Sequence, residues 1–209
     1  QQLILIFIYY NNNKDMFLFD WIESLLNWLG FLNKEGTLMI IGLGNAGKQS
    51  HRQVLSKDVL RQHMPTLRPH SDSFNAGSIN FKAWDLGGQQ NLRFLWRDYS
   101  PAATNGKSIV IFMIDSTDQQ LLAEAKSELY DAMEYTNNAP MLIVGSKIDR
   151  EGMSRDQLIK ALDLDTNTLG LGNERSPRIL DVLMISSVSR KGIPEMMNWL
   201  IKCHGLIGN

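Results

Sequence analysis

The sequence predicts an α/β fold. It is a doubly wound, mostly parallel sheet of about six strands, with one antiparallel strand and an N-terminal amphipathic helix. Three observations predict it. Short apolar runs alternate with helical patterns from Leu38 onward, as in chains that build parallel sheets through right-handed crossovers. Runs such as Ile109–Ile114 are almost continuously apolar, which suits strands buried on both faces. A glycine-rich loop, Gly42 to Ser50, joins the first such run to a stretch with helical character.

The elements follow in order. Strands are expected at Leu38–Ile41, Ser73–Asn75, Asn80–Trp84, Ile109–Ile114, Met141–Val144 and Val182–Ile185. Helices are expected at Lys48–Val54, Leu92–Tyr99, Gln119–Glu134, Arg155–Leu162 and Pro194–Cys203. Asn75-Ala76-Gly77-Ser78 reads as a hairpin turn, which makes its two flanking strands antiparallel. Asp163 to Pro177 is polar, carries two glycines and reads as a surface loop. Ligands are expected at the C-terminal ends of the strands.

Composition bounds the function. The chain has 209 residues, 44% hydrophobic and 21% charged, enough for one α/β domain with a short appendage. A formal charge of −1 gives no global attraction to nucleic acid, so no nucleic-acid partner is expected. The single cysteine, Cys203, rules out a disulfide framework and a thiolate zinc site, and fits a reducing compartment. No run of about 20 apolar residues predicts a transmembrane helix. Residues 1–15 are unlike the rest, and the native start is expected at Met16, with 1–15 an upstream or disordered extension. Residues 16–33 are read as an amphipathic helix and 36–207 as the nucleotide-binding domain.

The loop Gly42-Leu43-Gly44-Asn45-Ala46-Gly47-Lys48-Gln49-Ser50 carries the first chemistry. Its glycines let backbone N–H groups turn inward around phosphates, and a helix N-terminus favours the anion. Gly42, Asn45, Ala46, Gly47, Lys48, Gln49 and Ser50 form the expected phosphate cradle, with Lys48 reaching the terminal phosphates. The hydroxyl residue that should follow the lysine and bind Mg²⁺ is Gln49, with Ser50 one place late.

Four further segments fall where a guanine-nucleotide switch needs them. Thr66, in the loop after the first helix, can give its hydroxyl to Mg²⁺ and its N–H to the γ-phosphate. In Trp84-Asp85-Leu86-Gly87-Gly88-Gln89, Asp85 can hold Mg²⁺ through water and Gly87 can offer its N–H to the γ-phosphate. Gly88 belongs to the same cradle, and Gln89 can orient the attacking water. In Ser146-Lys147-Ile148-Asp149, Asp149 can accept two hydrogen bonds from the guanine edge while the Lys147 stem covers the base. Ser187 and Val188, after the last strand, can present an N–H to the guanine carbonyl. Taken singly, Asp-Leu-Gly-Gly and Ser-Lys-Ile-Asp are more often structural. In this order, each at a strand end, they point to one site. The catalytic set is Gln89, Lys48 and Thr66; the metal set is Gln49, Thr66 and Asp85.

These residues resemble the Arf/Sar branch of small GTPases, a group within the P-loop NTPases. The resemblance runs from Met16 to about Gly205 and is closest to the Sar type, which starts COPII coat assembly at the endoplasmic reticulum. It is carried by Met16 to Trp21, Gly42 to Lys48, Met64 to Pro69, Asp85 to Gly88, Trp96 with Tyr99 to Ala102, and Lys147 to Arg150. Phe17 stands where Arf proteins have the myristoylated glycine, which favours Sar over Arf. The resemblance implies GTP/GDP and Mg²⁺ as ligands and a membrane-bound exchange factor. It also implies coat subunits with GTPase-activating function, one supplying an arginine finger. The implied location is cytoplasmic and peripheral on the endoplasmic reticulum membrane, extending to the Golgi.

Asp20, Glu23, Ser24 and Asn27 share one helix face, and the rest of Phe17 to Leu32 is almost wholly apolar. One reading packs this helix on the domain's own core. The other lays it in the membrane surface in the GTP state, with Trp21 and Trp28 at the headgroup boundary.

Several positions depart from the family. Gln49 is longer than the usual Thr, and Mg²⁺ keeps a tight octahedron, so metal affinity should fall. Ser146 replaces the Asn of NKxD and keeps one hydrogen bond where the amide makes more. Gln89 is the Arf choice where Sar proteins usually have His, and Gly44 replaces an acidic residue. Arg68 and Arg93 are read as solvated or coat-facing, so neither serves as an internal arginine finger. The expectation is a GTP-hydrolysing membrane switch with loosened nucleotide retention. The alternatives are a pseudo-GTPase scaffold with little hydrolysis and an ATP-using P-loop enzyme, against which Lys147 and Asp149 argue.

Overall fold

A computed structural model describes residues 34–44, 46–48, 70–100, 108–171 and 178–207. The chain divides into two units, 1–34 and 35–209, and the described residues other than Lys34 belong to the second. Six strands lie among them: β1 (Lys34–Gly42), β2 (His70–Ala76), β3 (Ile79–Asp85), β4 (Ser108–Asp115), β5 (Met141–Ser146) and β6 (Leu180–Met184). Four helices accompany them: α1 (Leu95–Asp98), α2 (Leu122–Tyr135), α3 (Arg155–Ala161) and α4 (Ile193–Ile207).

The strands form one sheet in the order β2-β3-β1-β4-β5-β6. β1 with β4, β4 with β5 and β5 with β6 pair in parallel, while β2 and β3 pair antiparallel. The order reverses at β1, which is where an open α/β sheet leaves a crevice at its strand ends. All six expected strands are present, one to five residues longer than the apolar runs. Ala76 pairs with Ile79, so the hairpin loop is Gly77-Ser78, with Gly77 at φ +59°.

Alternate residues of the central strands feed two cores. Met39, Ile41, Val110, Phe112, Met141 and Ile143 face one side, where Leu129 of α2, Leu158 of α3 and Trp96 of α1 cover them. Leu38, Ile40, Ile109, Ile111, Leu142 and Val144 face the other side, under Met196, Trp199 and Leu200 of α4. Burial on both faces is why these strands read as unbroken apolar runs rather than alternating ones. Ser154 opens α3 with a capping box, accepting from Gln157 N–H while the Gln157 side chain accepts from Ser154 N–H.

Two expectations change. The helix expected over Leu92–Tyr99 is a 3₁₀ turn at Gln90–Leu92 followed by the four-residue α1. The i−3 bonds from Leu92 N–H to Gln89 and from Trp96 N–H to Arg93 tighten the chain. The tighter path seats the buried Trp96 ring edge-on to Phe112. The polar connection after Asp163 is not wholly irregular. It contains a 3₁₀ turn, Thr166–Thr168, and a bridge in which Gly170 N–H donates to the Leu180 carbonyl at 2.7 Å. The expected helix Lys48–Val54 lies outside the described residues except at Lys48, as does the amphipathic helix 16–33. Among the described residues no helix is long and apolar enough to cross a membrane.

Candidate nucleotide site

β1 ends at Gly42, β3 at Asp85 and β5 at Ser146, and the loops that follow them converge. Gly42 sits at φ +137°, and a Cβ there would lie 2.2 Å from the Met113 carbonyl oxygen. Only glycine lets the chain leave β1 in that direction. The chain then turns through Leu43, Gly44, Ala46 and Gly47 to Lys48.

Lys48 is buried and folded back over this loop. Its Nζ donates to the Gly42 carbonyl at 2.7 Å and to the Leu43 carbonyl at 2.6 Å. Burial lowers its pKa from 10.5 to about 8; the negative Asp85 opposes the drop and the positive Arg93 adds to it. Asp85 is itself only 1% exposed. The pair is therefore a buried cation and a buried anion at the mouth of the phosphate loop.

The segment after β3 is tied down at three successive residues. Leu86 N–H donates to the Ile40 carbonyl at 3.1 Å. Trp96 Nε1–H donates to the Gly87 carbonyl at 2.9 Å. Arg93 Nε–H donates to the Gly88 carbonyl at 3.2 Å. In a planar trans peptide the carbonyl and the next N–H point in opposite directions. The bond to Trp96 therefore turns the N–H of Gly88, not that of Gly87, away from the Trp96 side. Gly88 also touches the phosphate loop, since a Cβ on it would lie 2.3 Å from the Gly42 oxygen and 2.5 Å from Lys48 Nζ. Gln89 is half-buried in an extended conformation.

The loop after β5 reaches the same edge. Ser146 is buried, and its Oγ lies 2.9 Å from the Ala46 carbonyl and 3.1 Å from the Ile114 carbonyl. One hydroxyl proton serves both, so Ser146 bridges the two loops with a single shared donor. Its own carbonyl accepts from Ser116 Oγ at 2.7 Å and from Ser116 N–H at 3.1 Å. Lys147 takes φ +64° and sends its Nζ to Asp115 Oδ2 at 2.6 Å. Burial works to raise the Asp115 pKa, but Lys147 and the hydroxyl and N–H of Thr117 outweigh it and hold the carboxylate below its usual range. Asp149 Oδ1 accepts from Ser186 Oγ at 2.5 Å. Ser186 Oγ in turn accepts from the N–H groups of Val188 at 3.2 Å and Ser189 at 3.0 Å. That turn occupies Val188 N–H and leaves Val188 70% exposed, so of the two residues expected to face the base, Ser187 is the better donor.

Gly42, Asp85 and Ser146 thus end their strands, and Ala46, Gly47, Lys48, Gly88, Gln89, Lys147, Asp149, Ser187 and Val188 lie on the segments that follow the strand C-terminal ends. Asn45, Gln49, Ser50 and Thr66 lie outside the described residues. A separate cavity of about 450 Å³ is lined by Ile148, Met153, Leu183, Met184 and Glu195 among others. Neither Lys48, Asp85 nor Asp149 lines it, so it is distinct from the site expected from the sequence.

Arg93, read from the sequence as solvated or coat-facing, is not solvated. Its Nη1 lies 2.6 Å from Glu128 Oε1 and 2.8 Å from Glu124 Oε1, and its side chain is 12% exposed. Two other residues escaped the sequence reading. Asp115, which holds Lys147, carried a usable signal, because Asp-Ser-Thr at a strand end is an Asx-turn pattern. Ser116, which holds the Ser146 carbonyl, carried none.

The family model for the ADP-ribosylation factor family matches residues 22–204. The small COPII coat GTPase SAR1B of Dictyostelium discoideum is 48% identical over 197 residues, covering 93% of this chain and the whole of the relative. ADP-ribosylation factor-like protein 8b of Arabidopsis thaliana is 34% identical over 186 residues, covering 86% of this chain and 95% of that protein. The small COPII coat GTPase SAR1 of Giardia intestinalis is 33% identical over 189 residues, covering 88% and 97%. Among solved structures, the Arl6 BBS3 small GTPase from Trypanosoma brucei with bound nucleotide analogue GppNp superposes with a TM-score of 0.68. It is 22% identical and covers 82% of this chain and 98% of its own, a likeness of fold.

Proposed function

The chain belongs to the ADP-ribosylation factor family, and on that premise we propose a GTP-driven switch that works at the edge around Lys48 and recruits vesicle coat proteins to a membrane. It is a small GTPase, converting GTP to GDP and phosphate. The observation that carries the site reading is the bond from Ser146 Oγ to the Ala46 carbonyl. Through it the loop suited to a guanine base and the loop suited to phosphates form one continuous surface.

Each residue then has a task. Backbone N–H groups of the Gly42–Lys48 loop receive the phosphates, and Lys48 exchanges its carbonyl partners for phosphate oxygens. The N–H of Gly88 meets the γ-phosphate, and Gln89 orients a water in line with the bond to be broken. Water oxygen bonds to the γ-phosphorus, the bond to the bridging oxygen breaks, and GDP and phosphate result. Asp149 accepts from the guanine edge, Lys147 covers the base from its position against Asp115, and Ser187 N–H meets the ring carbonyl.

The buried carboxylate of Asp85 is a hard oxygen donor of the kind Mg²⁺ takes, and it stands beside Lys48. Asp85, with Gln49 and Thr66, would hold that ion. When bound, it neutralises charge on the phosphates. Gln49 is the weak member of this set for the geometric reason already given.

The named functions of the Dictyostelium and Giardia relatives support a role in COPII coat formation, and so in transport from the endoplasmic reticulum to the Golgi. Residues Phe17 to Leu32 supply the membrane contact by lying in the bilayer surface in the GTP state. Partners are a membrane-bound exchange factor and a coat subunit that accelerates hydrolysis.

The test is GTP and GDP affinity with and without Mg²⁺, in wild type and Gln49→Thr. The substitution should strengthen the Mg²⁺ dependence of GTP binding. An unchanged dependence would remove Gln49 from the metal site. Liposome binding of the GTP form by the chain truncated to Gly36 would remove the membrane role of the N-terminal segment.

A further inference from the structure

We infer that Arg93 is a positioning residue for GTP hydrolysis, fixing the Gly88 peptide by tying it to α2. The inference rests on the reading of Asp85–Gln89 as the segment that faces the γ-phosphate. Arg93 Nε–H holds the Gly88 carbonyl at 3.2 Å, while Nη1 is gripped by Glu128 at 2.6 Å and Glu124 at 2.8 Å. The two glutamates are four residues apart and share one face of α2. That helix is itself anchored on the sheet through buried Ala125, Leu129 and Ala132. A single planar fork therefore joins a loop to a rigid element. Partial burial works against the guanidinium charge, but Glu128 and then Glu124 outweigh it and raise its pKa.

The consequence lies in the direction of the amides. The carbonyl held by Arg93 sets the N–H of Gln89, just as the carbonyl held by Trp96 sets the N–H of Gly88. Gly88 has almost no clearance from Gly42 and Lys48, so a small drift there changes its distance to anything on Lys48. A diphosphate ends one phosphate short of this segment. Loss of Arg93 should therefore act on GTP and spare GDP.

The experiment compares single-turnover GTP hydrolysis, and affinity for GDP and for a non-hydrolysable GTP analogue. The proteins are wild type, Arg93→Ala, Arg93→Lys and the pair Glu124→Gln with Glu128→Gln. Arg93→Ala should lose roughly 10- to 150-fold in hydrolysis, the span of one charge-assisted hydrogen bond. Its analogue affinity should fall while GDP affinity stays within about twofold of wild type. Arg93→Lys keeps the charge but cannot span Gly88 and both carboxylates, so it should recover little. The glutamate pair leaves the Gly88 bond and removes its anchor, so its loss should be intermediate. Equal loss of GDP and analogue affinity would mark a merely structural role and overturn the inference. So would unchanged hydrolysis in Arg93→Ala or, should that variant not fold, in the glutamate pair. Wild-type protein that bound no guanine nucleotide would overturn the site reading on which the inference stands.

Discussion

Raising the pH from 7 to 9 should weaken nucleotide binding through Lys48. In the free protein the ammonium is buried against the carbonyls of Gly42 and Leu43, and its pKa falls from 10.5 to about 8. A phosphate chain on the same Nζ brings negative charge and returns the pKa towards its ordinary value. The sign follows by linkage. The bound state holds the proton more tightly than the free state, so binding takes up a proton and affinity falls as pH rises through about 8. With a free pKa of about 8, uptake should be about 0.1 proton at pH 7, about 0.5 at pH 8 and about 0.9 at pH 9. The dissociation constant for GDP should rise about tenfold between pH 7 and 9. Isothermal titration with GDP in two buffers of different ionisation enthalpy measures this uptake directly. Lys48→Arg supplies the baseline, since a guanidinium at that position keeps its proton over this range. Uptake in wild type that matches Lys48→Arg at every pH would refute the buried, depressed lysine.

Two substitutions probe the base side. Ser146→Ala removes the one proton shared by the Ala46 and Ile114 carbonyls and should speed GDP release about 5- to 150-fold, the range for about 1–3 kcal/mol. Ser146→Asn, with two donors, should slow release below the wild-type rate; stopped-flow displacement of a fluorescent GDP reads both. Asp115→Asn leaves Lys147 without its ion-pair partner and should weaken GDP binding about two- to fivefold, with a smaller effect at high salt. Equal effects at low and high salt in the same titration would mean that Asp115 acts through its turn with Thr117 instead.

The fold was legible because both faces of β1, β4 and β5 are buried, so their strands stand out as unbroken apolar runs. Lys48, Asp85, Ser146 and Asp149 were legible as residues at strand ends because their motifs are local. What the sequence could not show were contacts made across long separations. Arg93 meets Glu128, 35 residues on, and nothing near Arg93 in the chain distinguishes it from a solvated arginine. The same holds for Lys147 and Asp115, 32 residues apart. The break in the helix expected over Leu92–Tyr99 has a related cause. Trp96 must reach both the Phe112 ring and the Gly87 carbonyl, and local periodicity carries neither demand. The bonds that hold the Gly87 and Gly88 carbonyls were hidden for the same reason, since their donors, Trp96 and Arg93, lie further along the chain.

The central claim is that one continuous edge, from Lys48 through Ser146 to Asp149, holds and cleaves a guanine nucleotide. Single-turnover hydrolysis of GTP and of ATP by the purified chain with Mg²⁺ tests it most directly. The account predicts GTP cleavage on the order of 10⁻⁴ to 10⁻³ s⁻¹ without an activating protein, and no binding or cleavage of ATP at the same concentration. Equal handling of the two nucleotides, or no cleavage of either, would contradict it.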